Sequence, residues 1–470
     1  MPLTRIELLR DFGRACDLGN AALFVGAGLS MGAGLPSWGD LLDEPRTRSD
    51  VPSTDDLPLV AEYIVAEGTY SRERLNQHIL EAVSGAELQP TAALHHLVRL
   101  PVDQIWTTNY DALIESTPQQ QDFKVFATDE EMRFIGTSER PIIKMHGSVT
   151  AGTAARWESA PVITRSDYER YESNHPRTWA LLRATYLSKT MLFLGFSFSD
   201  PNIEVLQRLA RLSQTAAADR HMAVLPRPVD DGTDKVRRHE LRVRDLEQSG
   251  VRVLEIASFA ELTDILSDLV RRTRDTRLFV SGSRHGDEED ATFEAVCEAL
   301  AVELAHRPEW ELASLGGHAG WGVSRRVGRL RQAEDTYDPD HIVLHYRRRE
   351  GQKPPDTLDE RVGTAVFSNL EREPLVHGVL DESRAVVIIK GGTRTHEEIS
   401  WATDFGAGVV PIATAGGTAL EYWEAHKDAP PALGGRPTSP AEWARLNSPD
   451  ATIAARACAR LLDQAMFRSE

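Results

Sequence analysis

Three short segments of the chain gather side chains that can orient hydroxyl groups and water and move a proton near neutral pH. They are Thr107-Thr108-Asn109-Tyr110-Asp111, Lys144-Met145-His146-Gly147-Ser148 and Gly195-Phe196-Ser197-Phe198-Ser199-Asp200-Pro201-Asn202. Asn109 offers an amide, Asp111 a carboxylate and His146 an imidazole that titrates close to physiological pH. Taken singly, each residue has a plainer use: Asn109 as a helix cap, His146 as a turn residue beside Gly147, Ser197 as a strand-end hydroxyl and Tyr110 as packing. A fourth segment, Leu23-Phe24-Val25-Gly26-Ala27-Gly28-Leu29-Ser30, runs an apolar strand straight into glycines. Such a turn lets the backbone approach a pyrophosphate, whose charge suits the amides that open the next helix. The spacing, Gly-Ala-Gly-x-Ser followed by Gly-x-Gly-x-Pro, departs from the simple dinucleotide fingerprint, and alone it also fits a bare strand-to-helix turn.

These segments need a frame. Short apolar runs precede them: residues 102–107 before Asn109, 141–145 before His146 and 190–194 before Gly195. With residues 23–25, 221–225 and 251–256 they predict about six buried parallel strands alternating with helices, and ligands in such an open doubly wound sheet bind beyond the carboxyl ends of the strands. Residues 6–16 have the spacing of a covering helix, and between 40 and 96 apolar residues such as Leu75, Ile79, Leu80 and Val83 recur at helical spacing, predicting a helical insert.

The second half repeats the device. Residues 271–277, Arg-Arg-Thr-Arg-Asp-Thr-Arg, lack an apolar face and predict a junction. Beyond them Leu278-Phe279-Val280 enters Ser281-Gly282-Ser283-Arg284, and a glycine loop follows at Leu315-Gly316-Gly317 through Gly322. A strand over 385–389 leads into Lys390-Gly391-Gly392-Thr393-Arg394-Thr395-His396-Glu397-Glu398, with the next strand at 409–412. Ser281 and the amides of Gly282, Gly317 and Gly391, together with Lys390 or Arg372, are candidates to hold phosphates, and Glu398 to accept from ribose hydroxyls. Lys390 and Arg372 read equally well as solvated surface charges. Arg347-Arg348-Arg349, offset by Glu350 and Asp359, reads as a solvated face. Pro430, Pro431, Pro437 and Pro440 predict a loop before a closing helix over 451–466.

Composition narrows the function classes. A formal charge of -18 over 470 residues argues against a chain whose main task is gripping nucleic acid or an anionic membrane. Three scattered cysteines, Cys16, Cys297 and Cys458, build neither a structural zinc site nor a disulfide framework. No apolar run approaches the roughly 20 residues of a membrane span, and no secretory pattern opens the chain, so the expectation is a soluble cytoplasmic protein.

With the first glycine loop, the three strand-end motifs resemble the sirtuin-like NAD-binding family, closely over about residues 20–205 and more loosely to about 270. That resemblance implies NAD+ as substrate, with Ala27, Gly28 and Ser30 at its phosphates, Asn109 and Asp111 at the nicotinamide ribose, His146 as general base, and Gly195 and Ser197 in the same pocket. Cleaving nicotinamide from ribose passes through an oxocarbenium-like centre, so such a pocket needs groups that orient sugar and water, plus a base. Deacylating sirtuins carry a four-cysteine zinc module that this chain lacks, and Pro36 is followed here by Ser37-Trp38 rather than Asp-Phe-Arg. The expectation is therefore hydrolysis of NAD+ without a metal.

Residues 277–425 resemble the SLOG family of Rossmann-like ligand sensors, whose relatives carry a Gly-Gly-x-Gly-Thr-x-x-Glu motif; Thr395 and Glu398 keep their places, while Arg394 replaces the third glycine. The expected fold is α/β, with two Rossmann-like doubly wound domains: a sirtuin-like NAD-hydrolysing domain with a helical insert over 1–273, and a SLOG-like sensing domain over 277–470. This order resembles the effector family of Thoeris antiphage defence. It implies a homotetrameric NAD+ hydrolase, held off until a cyclic ADP-ribose isomer made by a TIR-domain partner protein binds the second domain. A noncatalytic receptor for ADP-ribose-type nucleotides and a zinc-free deacylase are the alternatives.

Overall fold

A computed structural model describes residues 3–85, 88–118, 123–137, 140–150, 155–198, 200–205, 207, 221–229, 234–284, 290–348 and 362–467. The chain divides into two compact units, Met1–Thr273 and Arg274–Glu470.

The first unit is built on a seven-stranded sheet. Its strands are β1 (Ala21–Val25), β2 (Gln104–Thr107), β3 (Lys124–Phe126), β4 (Pro141–Lys144), β5 (Thr190–Leu194), β6 (His221–Pro226) and β7 (Val251–Ile256). They lie in the order β3-β4-β2-β1-β5-β6-β7, and every pairing is parallel. Continuous apolar sequence suits strands covered on both faces, and β1 and β5 are buried at all five positions. Register then levels the strand ends: Val25 pairs with both Thr107 and Leu194, and Thr107 pairs with Lys144. Gly26, Asn109, His146 and Gly195 accordingly leave the sheet at one height. This is also where strand order reverses about β1, the place at which open α/β sheets bind ligands.

Between β1 and β2 the helical insert is real, with helices Trp38–Arg48, Leu57–Ala66, Arg72–Val83 and Ala92–Leu97. Ser37, Asp56, Ser71 and Thr91 cap them with their side chains. The edge strand β3 escaped the sequence reading because three residues carry no periodicity.

The second unit has a six-stranded sheet of β8 (Arg277–Ser281), β9 (Glu311–Ser314), β10 (Ile342–Arg347), β11 (Thr364–Ser368), β12 (Ala385–Ile389) and β13 (Gly408–Ile412), again all parallel. The order β11-β10-β9-β8-β12-β13 places its reversal at β8.

Several expectations need correction here. Residues 271–277 do hold the junction, which falls between Thr273 and Arg274, but they are not irregular chain: they end the helix Ala260–Thr273 and open β8, and Arg277 pairs with Glu311 and Glu382. Arg372, expected equally well as a solvated charge, opens the helix Arg372–Glu382 and is paired with Glu397 and Glu398. Arg347 is no solvated charge but the last residue of β10, bonded through Nε to the Leu370 carbonyl at 3.2 Å and paired with Glu371. Arg348 donates its backbone N–H to the Ser368 carbonyl at 2.7 Å, while Arg349, Glu350 and Asp359 lie outside the described residues. The proline-rich loop contains a helix, Pro440–Arg445, whose Trp443 is fully buried. The closing helix, Ala451–Ala465, follows it.

Candidate functional site

The first glycine loop is shaped by its neighbour. Gly26 and Gly28 donate their N–H groups to the carbonyls of Leu194 and Gly195, both at 2.9 Å. A Cβ on Gly26 would stand 2.5 Å from the Gly195 oxygen, and one on Gly28 2.8 Å from the Gly195 Cα. Gly195 itself has φ +61, and a side chain there would reach within 2.6 Å of the Leu29 nitrogen. These glycines let two strand-end loops touch backbone to backbone. The Gly28 amide expected at a phosphate is therefore given to Gly195. Ala27 and Gly28 are half-buried at the start of the short helix Ala27–Met31, which holds buried Ser30 in its last turn.

Asn109 ties the second motif to this loop. Its Nδ2 donates to the Gly26 carbonyl at 3.1 Å and to Ser30 Oγ at 2.9 Å, so the amide spans two strand ends rather than capping a helix. Thr107 supports it, accepting from the Asn109 N–H at 3.0 Å and donating to the Val25 carbonyl at 2.9 Å. The Ser30 hydroxyl passes the chain on to the Asp111 carboxylate, which also accepts from the Leu113 N–H at 3.1 Å. Asn109 Oδ1 is left buried without a hydrogen-bond partner. A buried lone pair without a donor carries a real desolvation cost, and a ligand hydroxyl or water removes it.

Beneath Asp111 sits Lys144, wholly buried, which donates to the Asp111 carbonyl at 2.6 Å and pairs with Glu115 at 2.5 Å. Burial raises the Glu115 and Asp111 carboxyls, and the lysine opposes that in both. Tyr110 packs as expected, its hydroxyl on the Val162 carbonyl at 2.7 Å and its ring against Trp157.

His146 is 3% exposed, and its ring meets Tyr168 and Tyr171 edge-on at centroid distances of 5.2 and 6.2 Å. Its Nε2 lies 3.2 Å from Oδ2 of Asp200, a distance that admits a pair although the atoms are not aligned as a hydrogen bond. Burial, with a smaller push from His175, takes the imidazole down to about 3. Burial likewise pushes the Asp200 carboxyl up to about 7, against backbone N–H bonds from Ile203 and Asn202. Both groups therefore favour their uncharged forms, and a neutral imidazole is the form that accepts a proton. Asp200 stood in the third motif without a role; an aspartate two residues ahead of an asparagine is a common turn pattern, and only the fold places it on His146. Ser197 is exposed, and its carbonyl accepts from Arg242 at 3.0 Å.

In the second unit a cavity of about 280 Å³ opens at the strand reversal. Five of the expected residues line it: Ser281, Gly282, Gly317, Arg372 and Glu398. Glu398 is 6% exposed, accepting from Ser281 Oγ through one oxygen and from Arg372 at 2.6 Å through the other. Burial raises this carboxyl, while Ser281 and Arg372 lower it. Arg372 also pairs with Glu397 and donates to the Arg394 carbonyl at 2.9 Å. Lys390 and Gly391 are not among the lining residues. Lys390, at φ +56, instead pairs with Asp290, the cap of the helix Ala291–Ala305. The sequence reading missed His345, Tyr346 and Arg347, which reach the cavity from β10.

Among the described residues no cluster of His, Cys, Asp and Glu could hold a metal, and no helix is long and apolar enough to cross a membrane. The three cysteines are buried and free.

Comparison with known proteins bears on both units. A family model described as a SIR2-like domain matches residues 103–254. Over 445 residues the chain is 28% identical to an NAD(+) hydrolase ThsA of Bacillus cereus, spanning 89% of each chain. Over 453 residues it is 29% identical to the protein of the same name from Cytobacillus dafuensis, spanning 89% of this chain and 87% of that one. The Enterococcus faecium protein of that name is 33% identical over 299 residues, which are 59% of this chain and 60% of that one.

Proposed function

Because the chain is ThsA-like through both of its units, we propose that it hydrolyses NAD+ to nicotinamide and ADP-ribose in its first unit, and that its second unit senses a cyclic ADP-ribose isomer that switches this activity on. In this reading it is the effector of a Thoeris antiphage defence: a TIR-domain partner protein makes the signal, and the response is depletion of NAD+. The active assembly is a homotetramer, and the protein works in the cytoplasm.

The observation that carries the catalytic reading is a buried Asn109 Oδ1 without a partner and a buried His146 at neighbouring ends of one sheet. Oδ1 accepts from a ribose hydroxyl or from water, which fixes the sugar for an in-line departure of nicotinamide. His146 takes the proton that the attacking water gives up. The pyridinium leaving group departs as neutral nicotinamide, so no general acid is needed for it.

In the second unit Arg347, Arg372 and Arg394 line a cavity of the size of a small ligand, which suits a diphosphate. Glu398 and Ser281 suit ribose hydroxyls. Arg347 is already paired with Glu371, and Arg372 with Glu397 and Glu398, so an entering phosphate competes with these carboxylates. Lys390 joins the ligand only by leaving Asp290. Such competing pairs are one way to make occupied and empty states differ, and a switch from 1:99 to 99:1 requires a difference of about 5.5 kcal/mol in signal binding.

Purified full-length protein, incubated with NAD+ in the presence and absence of cyclic ADP-ribose isomers, tests the proposal by chromatographic detection of nicotinamide. Release that rises with one isomer is the expected result. Saturable binding of the isomer without any nicotinamide identifies a noncatalytic receptor instead.

A further inference from the structure

Asp200 has no part in the chemistry so far, yet its carboxyl lies beside one of the two ring nitrogens of His146. It follows β5, and its Oδ1 is fixed by the backbone N–H groups of Asn202 at 2.9 Å and Ile203 at 3.3 Å. That bond geometry turns the other oxygen, Oδ2, toward His146 Nε2 at 3.2 Å. Both side chains are more than nine-tenths buried, and Nε2 has no other hydrogen-bond partner. Tyr168 and Tyr171 meet the ring edge-on and flank the contact. Contacts of this kind are commonly loose in the absence of substrate.

We infer that Asp200 is a positioning residue: its carboxylate keeps the His146 proton on Nε2, which leaves Nδ1 as the base that accepts the proton of the attacking water. This rests on the hydrolase reading. The bond from the ribose C1′ to the nicotinamide nitrogen breaks with its electron pair going to the nitrogen, and the water oxygen bonds C1′. One water proton passes to Nδ1, and the imidazolium so formed keeps its Nε2 proton against the Asp200 carboxylate. The arrangement is the one by which a carboxylate selects the working tautomer of a catalytic histidine.

A carboxylate that picks a tautomer also reverses it. Once Asp200 is protonated it donates to Nε2, the ring proton moves to Nδ1, and the base is lost. The groups facing the pair are His175 and Asp167 on the His146 side and Tyr168, Tyr171 and Tyr110 around Asp200. Asp167 is itself held by Arg72 at 2.7 Å, and burial keeps all three tyrosines neutral. Burial likewise lowers His175. Asp200 therefore sets the acid limb, and activity rises with pH through about 7, where its carboxyl ionises.

The test compares wild type, Asp200→Asn and Asp200→Glu in the full-length chain. With NAD+ and an activating cyclic ADP-ribose isomer, Asp200→Asn should lower kcat by about 10²-fold with KM little changed, and should erase the acid limb near pH 7. Asp200→Glu should recover part of kcat and restore the limb. Ring-nitrogen NMR of histidine-labelled protein, with His146→Gln to assign the signal, reads the tautomer without any turnover. An Nε2–H tautomer at pH 8 that gives way below pH 7 in wild type, but not in Asp200→Asn, supports the inference. A tautomer that ignores the substitution overturns it even if turnover falls. A wild-type chain that releases no nicotinamide overturns the hydrolase reading, and the catalytic use of the pair with it.

Discussion

Replacing Gly28 by alanine adds one methyl group at a place where the structure has no room for it. The new carbon would sit 2.8 Å from the Gly195 Cα and 2.9 Å from its carbonyl oxygen. Carbon atoms in comfortable contact are about 3.5–4.0 Å apart, so the two loops must separate by most of an ångström. Overpacking of this kind costs about 1–3 kcal/mol. The same movement stretches the 2.9 Å hydrogen bond from the Gly28 N–H to the Gly195 carbonyl. A backbone bond is worth about 0.5–1.5 kcal/mol, which brings the total to roughly 1.5–4.5 kcal/mol. In a unit of this size each kcal/mol lowers Tm by about 2–4 °C, giving an expected fall of about 3–18 °C. Scanning calorimetry of the full-length chain measures it, with Gly136→Ala as control, because a side chain there meets nothing within 4 Å. Affinity for NAD+ should fall as well, since Asn109 hangs on the same loop through Gly26 and Ser30. An unchanged Tm with abolished NAD+ binding would refute the reasoning and give Gly28 back to the pyrophosphate.

Asn109→Ala and His146→Ala should each reduce nicotinamide release by about 10² or more. Asn109→Ala should also lower Tm, because it strands the Gly26 carbonyl and Ser30 hydroxyl; a folded, stable and fully active Asn109→Ala would remove this residue from the mechanism. Arg372→Ala should move the activation midpoint to roughly ten- to a hundredfold higher signal, with the maximal rate retained, as read from activation curves; superimposable curves would mean that the signal binds elsewhere. The His146–Asp200 pair predicts opposing pH slopes of stability. Asp200, raised to about 7, contributes stability that is lost as pH climbs from about 4 toward 7, whereas His146, lowered to about 3, contributes stability lost as pH falls below about 6.5. The two oppose each other in wild type, so Asp200→Asn should be stabilised by raising pH from 4 to 6.5 and His146→Gln destabilised; parallel denaturant melts of the two variants would contradict the burial of both groups in their uncharged forms.

The sheet of the first unit was legible because parallel strands buried on both faces write themselves as apolar runs. Four of these runs ended in a motif, and register brought those ends level. The same signal failed in the second unit for β9, β10 and β11. β10 carries His345 and Arg347 on half-buried positions, and β11 is exposed along its middle, so neither reads as a buried run. The cost was functional: the sequence reading took Arg347 for a solvated charge, and the strand that delivers it to the cavity was not seen. Glu398 was legible through its motif and Arg372 through its residue type, but their pairing spans a helix start and a helix interior that no local pattern connects.

Asp200 and Gly28 show the two ways in which a correct motif carries an incomplete role. Gly28 was assigned by what a ligand would need, yet its nearest neighbour is the protein's own backbone, and a glycine's missing side chain does not say which of the two it makes room for. Asp200 was within a motif already singled out, but the partner of a catalytic histidine is chosen by three-dimensional reach. Here that reach is set by the loop after β5 and by the Asn202 and Ile203 amides that orient the carboxylate. Sequence therefore names the reactive imidazole, while the group that decides which of its nitrogens reacts appears only when β4 and β5 are folded into one sheet.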